Sequence, residues 1–304
     1  MLHTLYSIYL LYSCPVGFFP PFAYRVFLFL TKSDELITMT EQEWHAFKTF
    51  RADFKEVCCH WLTQCRYDYA APDEPLSCVE KSAAKGGQLH RLQKEAAREN
   101  KTPDYPVETP IVYNHSLDGV QKSDTVKLII VSDNPGKNEQ LHKNQRYLVG
   151  QAGKVAESFF HRTPELGIDF RRDTIILNKT PIHTAKTKEL TLLLKQGGDS
   201  FRILFEESQR WLARRTAALQ KALGCRLWLV GYGELRKKSL FTCYADELRR
   251  HYAGMEQEAP VFVFQHFSMN CFSIDLKKLS SQDKTPEENI RAIGLLHRQE
   301  ILGW

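Results

Sequence analysis

Short apolar runs alternate with longer amphipathic stretches from about residue 126 onward. Four runs rich in β-branched, aliphatic and aromatic residues predict buried strands, at 126–131, 173–177, 226–230 and 261–265. Apolar residues at three- and four-residue spacing predict helices at about 152–161, 201–223 and 244–252, and a last helix that begins after Thr285. Because continuously apolar strands separated by helices are typical of a parallel sheet covered on both faces, we predict an α/β fold. We expect a three-layer α/β/α sandwich around a four-stranded parallel sheet, preceded by N-terminal helices.

Helical patterns occupy the region before these strands. Residues 41–66 carry aromatic side chains at helical spacing, with Thr40 as a suitable N-cap, and residues 79–99 predict a second, more polar helix. Three prolines between residues 103 and 110 then mark a loop or linker. We therefore assign residues 39–110 to a helical N-terminal region with a proline-containing linker, and residues 111–304 to the α/β domain.

The first 38 residues form an apolar extension, in which residues 1–30 carry no charged residue other than Arg25. A membrane-directed segment would explain this composition, but three prolines interrupt the apolar run and no basic segment precedes it. Met39 opens a well-patterned helix, so a true translation start at Met39 is the other explanation. Both explanations stay open, and the fold prediction begins at residue 39.

The chain is mildly basic, with a formal net charge of +5 over 304 residues. Its apolar fraction of 43% and charged fraction of 25% are ordinary for a soluble globular protein and argue against a disordered or collagenous chain. The segment 136–197 holds eleven Lys or Arg residues against six acidic ones, so the positive excess can be assigned to it. A polyanionic partner such as DNA is compatible with this distribution.

Four of the eight cysteines cluster as Cys58, Cys59, Cys65 and Cys78. The cluster lacks the paired C-x-x-C spacing of a structural zinc site, and adjacent cysteines on a helix point in different directions. We therefore expect no metal site, and reduced, partly buried thiols in a cytoplasmic protein.

Polar residues stand where three of the four predicted strands end. Ser132-Asp133-Asn134-Pro135-Gly136 ends the first strand, Asn178 ends the second, and His266-Phe267-Ser268 follows the fourth. Each alone has an ordinary explanation, since Asn-Pro-Gly favours a turn and a single histidine is often structural. Ligands of parallel sheets bind beyond the carboxyl ends of the strands, so the shared placement predicts a binding site there.

These residues, in this order, resemble the motifs of the uracil-DNA glycosylase superfamily. The superfamily's first motif, G-x-N-P-G or G-E-x-P-G, is similar to residues 132–136, and its R-P-F-V-G-x-A-G element is similar to residues 146–153, RYLVGQAG. Its second-strand asparagine corresponds to Asn178, and its H-P-S motif to His266-Phe267-Ser268. The resemblance covers about residues 126–304, and its specificity lies in the combination of motifs.

The resemblance implies a base excision repair enzyme that flips a deaminated base out of DNA and hydrolyses its N-glycosidic bond. It implies that Asn134 orients the attacking water and that Asp133 acts electrostatically or as a base. His266 would donate to uracil O2 as negative charge develops there. Asn178 would pair with N3–H and O4 and exclude cytosine, whose donor pattern is inverted. Such chemistry requires no metal or other cofactor, and we expect a monomer.

Further contacts to the base and to DNA follow from the same resemblance. Tyr147 or Leu148 takes the place of the aromatic that stacks on the base, and the remaining expected base-binding residues are Pro135, Gly136 and Ser268. Lys137, Lys154 and Ser268 are expected to contact phosphates, while Phe267 or Met269 would wedge into the vacated base stack. Some branches carry an iron–sulfur cluster, with a cysteine soon after the second-strand asparagine. Lys179-Thr180-Pro181 stands there instead, so we expect no cluster.

Two departures from the motifs support a second hypothesis. Leu148 stands where the stacking aromatic is expected, and Phe267 replaces the proline of H-P-S. A relative that binds nucleic acid without cleaving it is therefore an alternative, because a fold does not guarantee its chemistry. A third hypothesis, a phosphate-binding α/β enzyme, comes from Asn134-Pro-Gly-Lys and Gly150-x-x-Gly-Lys, but neither is a complete phosphate-binding motif.

Overall fold

A sheet of four parallel strands in the order β2-β1-β3-β4 lies at the centre of the protein. The computed structural model describes residues 38–67 and 87–304. The strands are β1 (Leu128–Ser132), β2 (Thr174–Asn178), β3 (Arg226–Val230) and β4 (Val261–Phe264). The boundaries of each predicted strand lie within two residues of the observed ones. The strands could be recognised because burial on both faces makes their sequences continuously apolar.

Helices cover both faces of this sheet. Those of the described residues are α1 (Glu41–Tyr67), α2 (Gly87–Glu99), α3 (Gln151–Arg162), α4 (Glu189–Gln196), α5 (Gly198–Leu223), α6 (Thr242–Tyr252), α7 (Cys271–Leu279) and α8 (Pro286–Leu302). The predicted three-layer α/β/α fold with N-terminal helices is therefore confirmed. The sequence analysis did not predict the short helices α4 and α7.

Successive side chains of each strand point to opposite faces of the sheet, which produces two hydrophobic cores, one on each face. In β1, Ile129 and Val131 belong to the larger core, which also holds apolar residues of α1, α2, α4, α5 and α6. Leu128 and Ile130 belong to the second core, which holds apolar residues of α3, α7 and α8. Both faces are thus sealed from water, and polar chemistry is restricted to the ends of the strands.

Helices α1 and α2 pack into the larger core of the α/β sheet. Phe54 of α1 stacks on Trp211 of α5 with ring centroids 5.8 Å apart, and Arg215 of α5 forms an ion pair with Asp53 of α1. The region from Ile37 to Trp304 accordingly forms one compact unit. The interpretations of residues 1–37, and the start of the predicted 79–99 helix, lie outside the described residues.

Local chemistry sets the ends of two helices. Thr285 Oγ1 accepts a hydrogen bond from the Glu288 N–H at 3.2 Å, and the Glu288 carboxylate accepts one from the Thr285 N–H at 2.8 Å. Thr40 and Glu43 make the same reciprocal contact before α1. These capping boxes satisfy N–H groups that the first turn of a helix leaves free, which is why both starts could be predicted. None of the helices in the described ranges has the length and apolarity needed to cross a bilayer.

Candidate active site

A cavity of about 610 Å³ lies at the carboxyl edge of the sheet, beside the first residues of α3. Its wall combines the segment after β1, the segment after β4 and the N-terminus of α3. The predicted site residues that line it are Asp133, Asn134, Gly136, Lys137, Leu148, His266, Ser268 and Met269. The fold therefore brings together residues that are more than 130 positions apart in the chain.

Asn134 lines this cavity, with its amide held in one orientation. Its Nδ2 donates to Thr184 Oγ1 at 2.8 Å, which fixes the orientation of the amide. Its Oδ1 is buried and has no hydrogen-bond partner among the described residues. This oxygen has lone pairs that could accept a hydrogen bond from water, but it is closed to solvent in this structure, so the water-orienting role expected of Asn134 stays a prediction.

Asn178 is the most deeply buried of the predicted polar residues. It ends β2, is paired in register with Ser132 of β1, and is only 1% exposed. Neither its Nδ2 nor its Oδ1 has a hydrogen-bond partner within the described part of the chain. Leaving a buried polar group without a hydrogen bond costs about 1–3 kcal/mol, so an amide with neither its donor nor its acceptor satisfied is unusual in a folded protein. Asn178 does not itself line the cavity, but its neighbours Ser132 and Glu139 do.

His266 is positioned by two serines. Its Nδ1 accepts a hydrogen bond from the Ser268 N–H at 3.0 Å, and its Nε2 lies 2.8 Å from Ser132 Oγ. Because Nδ1 is an acceptor, the proton resides on Nε2, which donates to Ser132 Oγ. Burial lowers the pKa of His266, Asp133 opposes this effect, and Lys179 adds to it. The ring is therefore a neutral donor whose Nε2–H is engaged with Ser132.

Asp133 forms a buried ion pair with Lys179. Lys179 Nζ lies 2.6 Å from Asp133 Oδ1, donates to Val230 O at 2.6 Å, and is fully buried. Gly231 makes room for the carboxylate, because a Cβ at this position would lie 2.4 Å from Asp133 Oδ1. A carboxylate bound by an ammonium group is a weak base, and the same ammonium group offsets its charge, so the electrostatic role and the role as a base both stay predictions for Asp133.

Glu139 is a site residue that the sequence analysis did not single out. It lines the cavity, and its carboxylate accepts hydrogen bonds from the Leu148 N–H at 3.0 Å and the Gly136 N–H at 3.2 Å. Burial raises the pKa of Glu139 to about 7, against the opposing effects of these two hydrogen bonds, of Arg171 and of Asn178. Its position three residues after Gly136 is compatible with a local turn contact. The bond to Leu148 depends on the tertiary fold.

Tyr147 and Leu148 have different positions in the structure. Tyr147 is fully buried and its hydroxyl donates to Val112 O at 2.5 Å, so it is not available as a stacking face for a base. Leu148 lines the cavity with a φ of 51°. Arg171 donates to Leu148 O at 2.6 Å. A Cβ on Gly153 would lie 1.6 Å from the same oxygen, so the glycine allows α3 to approach this loop.

The predicted DNA contacts are only partly accessible. Phe267 is fully buried against Phe272, with ring centroids 4.7 Å apart, so the wedging role expected of it is not available in this conformation. Met269 is 88% exposed and lines the cavity. Lys154 is exposed on α3, outside the cavity wall, and Lys137 Nζ lies 5.5 Å from the centroid of the Tyr105 ring.

His183 supports the loop after β1 from below the surface. Its Nδ1 lies 2.8 Å from Pro135 O and its Nε2 lies 3.0 Å from Tyr105 Oη. Burial lowers the pKa of His183 to about 4, so the neutral ring donates from Nδ1 and accepts at Nε2. Pro135 is itself buried and contributes its carbonyl to this support, and the base contact expected of it stays a prediction. The sequence analysis did not identify His183, because a lone histidine carries no signal of its partners.

No protein-family model matches this chain, and neither does any curated protein or solved structure. A functional assignment therefore depends on the geometry of the cavity and on the motifs that line it. In residues 38–67 and 87–304, no three His, Cys, Asp or Glu side chains are placed to hold a metal ion together. Cys78 of the predicted cysteine cluster lies outside these residues.

Proposed function

We propose that this protein is a DNA glycosylase-like protein that takes a flipped uracil, or a related deaminated base, into the cavity at the sheet edge. The observation that carries the proposal is the pair of asparagines at the ends of adjacent strands, both with buried amide atoms that lack partners. Buried polar groups are normally satisfied, and a base or water that reached these atoms would supply the missing partners; for Asn178, which does not line the cavity, this requires the cavity wall to open. The cavity volume of about 610 Å³ is in the usual range for small-molecule sites.

The chemistry would divide among five side chains. Asn134 Oδ1 would orient a water for attack on the anomeric carbon, and Asp133 would stabilise the positive charge that develops on the sugar. Asn178 would read the edge of the base. Since His266 Nε2–H donates to Ser132 Oγ, the departing base would receive its hydrogen bond from Ser132 Oγ–H, or from His266 once Ser132 moves. The water oxygen would bond to the anomeric carbon as the N-glycosidic bond breaks, and the proton that the water loses would balance the negative charge left on the departing base.

The surroundings of the cavity suit a phosphodiester chain. Lys137 and Lys186 line it, and α3 begins at its wall without a side-chain cap on its first N–H groups. Helix N-termini attract anions because their N–H groups are unpaired and the peptide dipoles add. Met269, exposed at the same cavity, is the residue best placed to enter a base stack.

A glycosylase assay on the full chain tests the proposal. Single- and double-stranded oligonucleotides carrying uracil, hypoxanthine or xanthine would be incubated with the protein and then treated with alkali, which cleaves at abasic sites. We expect base release by the wild type and a loss on the order of 100-fold or more in Asn134→Ala, the size typical for removal of a catalytic polar group. Gln299→Ala, an exposed amide of α8 outside the cavity wall, is the matched control. Absence of base release from all three substrates would refute the catalytic proposal.

A second candidate function is binding of a flipped base without cleavage. Its support is specific: Tyr147 is buried and Leu148 is aliphatic, so this element places no aromatic ring at the cavity. It predicts DNA binding that weakens steeply as salt rises, without abasic products. The two functions are separated by measuring binding and base release on the same oligonucleotides.

A further inference from the structure

A second cavity, of about 470 Å³, lies beside β2, which is an edge strand of the sheet. Three arginines line it, Arg146, Arg171 and Arg172, whereas Asp124 is the one carboxylate in its wall among the described residues. Asp124 already accepts a hydrogen bond from the Gln121 N–H at 2.8 Å. The cavity therefore carries an excess of positive charge, which the chemistry proposed at the carboxyl edge of the sheet does not use.

Two of the three guanidinium groups have partners within the fold. Arg172 Nε lies 3.0 Å from Asp173 Oδ1. Arg171 donates to Leu148 O at 2.6 Å and lies 3.6 Å from the Glu157 carboxylate. Arg171 is thus held in one position by the loop that it contacts.

Arg146 has no such partner. Its side chain is half-buried at the cavity, and no residue of the ranges 38–67 and 87–304 gives its guanidinium group a hydrogen bond or an ion pair. Burial lowers the pKa of Arg171, and the charge of Arg146 lowers it further, against the opposing effect of Glu157. The two like charges destabilise each other, so an anion in the cavity would be attracted by both.

The chemistry of the two arginines favours phosphate as this anion. A guanidinium group presents its N–H donors in a planar fork, which matches two oxygens of a carboxylate or a phosphate group. The fork of Arg146 is free, and Arg171 adds a second positive charge that Leu148 O already holds in place. One fork occupies both oxygens of a carboxylate, whereas a phosphate group keeps a further oxygen for the second arginine.

This cavity is separate from the proposed base site but borders the same segment of the chain. Asn144 and Arg146 line it, whereas Leu148 and Gly150, a few residues later, line the cavity at the sheet edge. We infer that Arg146 and Arg171 form a second site, which binds a phosphate group. The ligand is either a phosphodiester of DNA or free phosphate. Neither source requires base release, so the second site goes beyond the proposed function.

Two titrations of the full-length protein test the inference. The first measures the binding of a fluorescent single-stranded oligonucleotide, which contains only thymine bases, at a series of salt concentrations. Each phosphate contact to a single strand contributes about 0.7 to the slope of log K against log salt, so Arg146→Gln should lower the slope by about 0.7 if the ligand is a phosphodiester. The second follows the melting temperature as inorganic phosphate replaces chloride at constant ionic strength. If the ligand is free phosphate, the melting temperature of the wild type should rise and that of Arg146→Gln should not.

Arg162→Gln is the matched control, because it removes the same charge from an exposed position of α3 that lines neither cavity. It should keep the wild-type salt slope and the wild-type response to phosphate. Arg146→Lys keeps the charge but loses the planar fork, so it should keep the slope and bind more weakly than the wild type.

The two titrations distinguish the sources of the phosphate. A loss by Arg146→Gln in the first identifies a phosphodiester, a loss in the second identifies free phosphate, and either supports the site. The inference is overturned if Arg146→Gln behaves like Arg162→Gln in both. Because neither titration involves a deaminated base, failure of the glycosylase proposal would leave this site intact, and base release by a protein without the site would leave the glycosylase proposal intact.

Discussion

Replacement of Lys179 by methionine would leave the Asp133 carboxylate in its buried position without its counter-ion. Lys179 is fully buried, and its Nζ lies 2.6 Å from both Asp133 Oδ1 and Val230 O. Methionine has a similar length and an apolar stem, so it fills most of the space but donates no hydrogen bond. The change therefore isolates the charge of the lysine from its volume.

The expected loss of stability can be estimated from this geometry. Two unit charges 2.6 Å apart attract each other by about 6 kcal/mol at an effective dielectric constant of about 20. Part of this is offset, because the variant no longer has to remove an ammonium group from water. Breaking a buried ion pair by removal of one partner typically costs about 3–5 kcal/mol, and we expect Lys179→Met to lose this much.

Urea unfolding of the full chain measures the effect. The double variant Lys179→Met/Asp133→Asn, which carries neither charge, should be more stable than Lys179→Met alone, because no uncompensated charge is then buried. Lys195→Met on the exposed surface of α4 is the control and should change the unfolding free energy by no more than about 0.5 kcal/mol. A loss below about 1 kcal/mol in Lys179→Met, or a double variant that shows the sum of the two single losses, would refute the ion-pair argument.

Three further predictions concern the supports of the cavity. Burial raises the pKa of Glu139 from its ordinary 4.5 to about 7, so its contribution to stability is complete below pH 4.5 and is lost as the pH rises to 7, by about 3 kcal/mol at most. The slope of the unfolding free energy against pH between 4.5 and 7 should differ between the wild type and Glu139→Gln. Equal slopes would contradict the prediction. Gly153→Ala forces a Cβ against Leu148 O and should destabilise the fold by about 1–3 kcal/mol, which thermal melting detects as a lower melting temperature. Gly233→Ala is the control: the space around its new Cβ is open, so this variant should melt like the wild type. His183→Phe removes the imidazole donor from Pro135 O, which keeps the Thr184 N–H at 3.2 Å. It should cost about 0.5–1.5 kcal/mol in urea unfolding, and an unchanged midpoint would show that the imidazole does not support the loop.

The strands and several helix ends could be predicted because the causes are local. A strand buried on both faces must be apolar at every position, which gives β1 to β4 a recognisable sequence. The start of α8 is set by Thr285 and Glu288, three residues apart. By contrast, α4 and α7 are short, so their few turns carry too little periodicity to separate them from loops. The strand order depends on how the connections pack, which no single segment encodes.

The position of the site could also be predicted, but not the state of each side chain. The carboxyl ends of parallel strands share one edge, so residues that end three predicted strands had to lie near each other. Tyr147 and Phe267 are aromatic residues in motif positions, and only the packed structure shows that both are buried. The same is true of Lys179, whose sequence neighbourhood does not indicate that it neutralises Asp133.

The sequence by itself determined the layers of the fold and the edge of the sheet at which polar residues converge, because both follow from burial patterns within a few residues of each strand. Only the tertiary structure decided which polar groups are satisfied and which are free. Asp133 is paired with Lys179, and Glu139 is tied to Leu148. Asn134 and Asn178 keep amide atoms without partners in the described chain. The physical reason is that hydrogen bonds and ion pairs between distant segments depend on ångström-scale positions that sequence spacing does not specify.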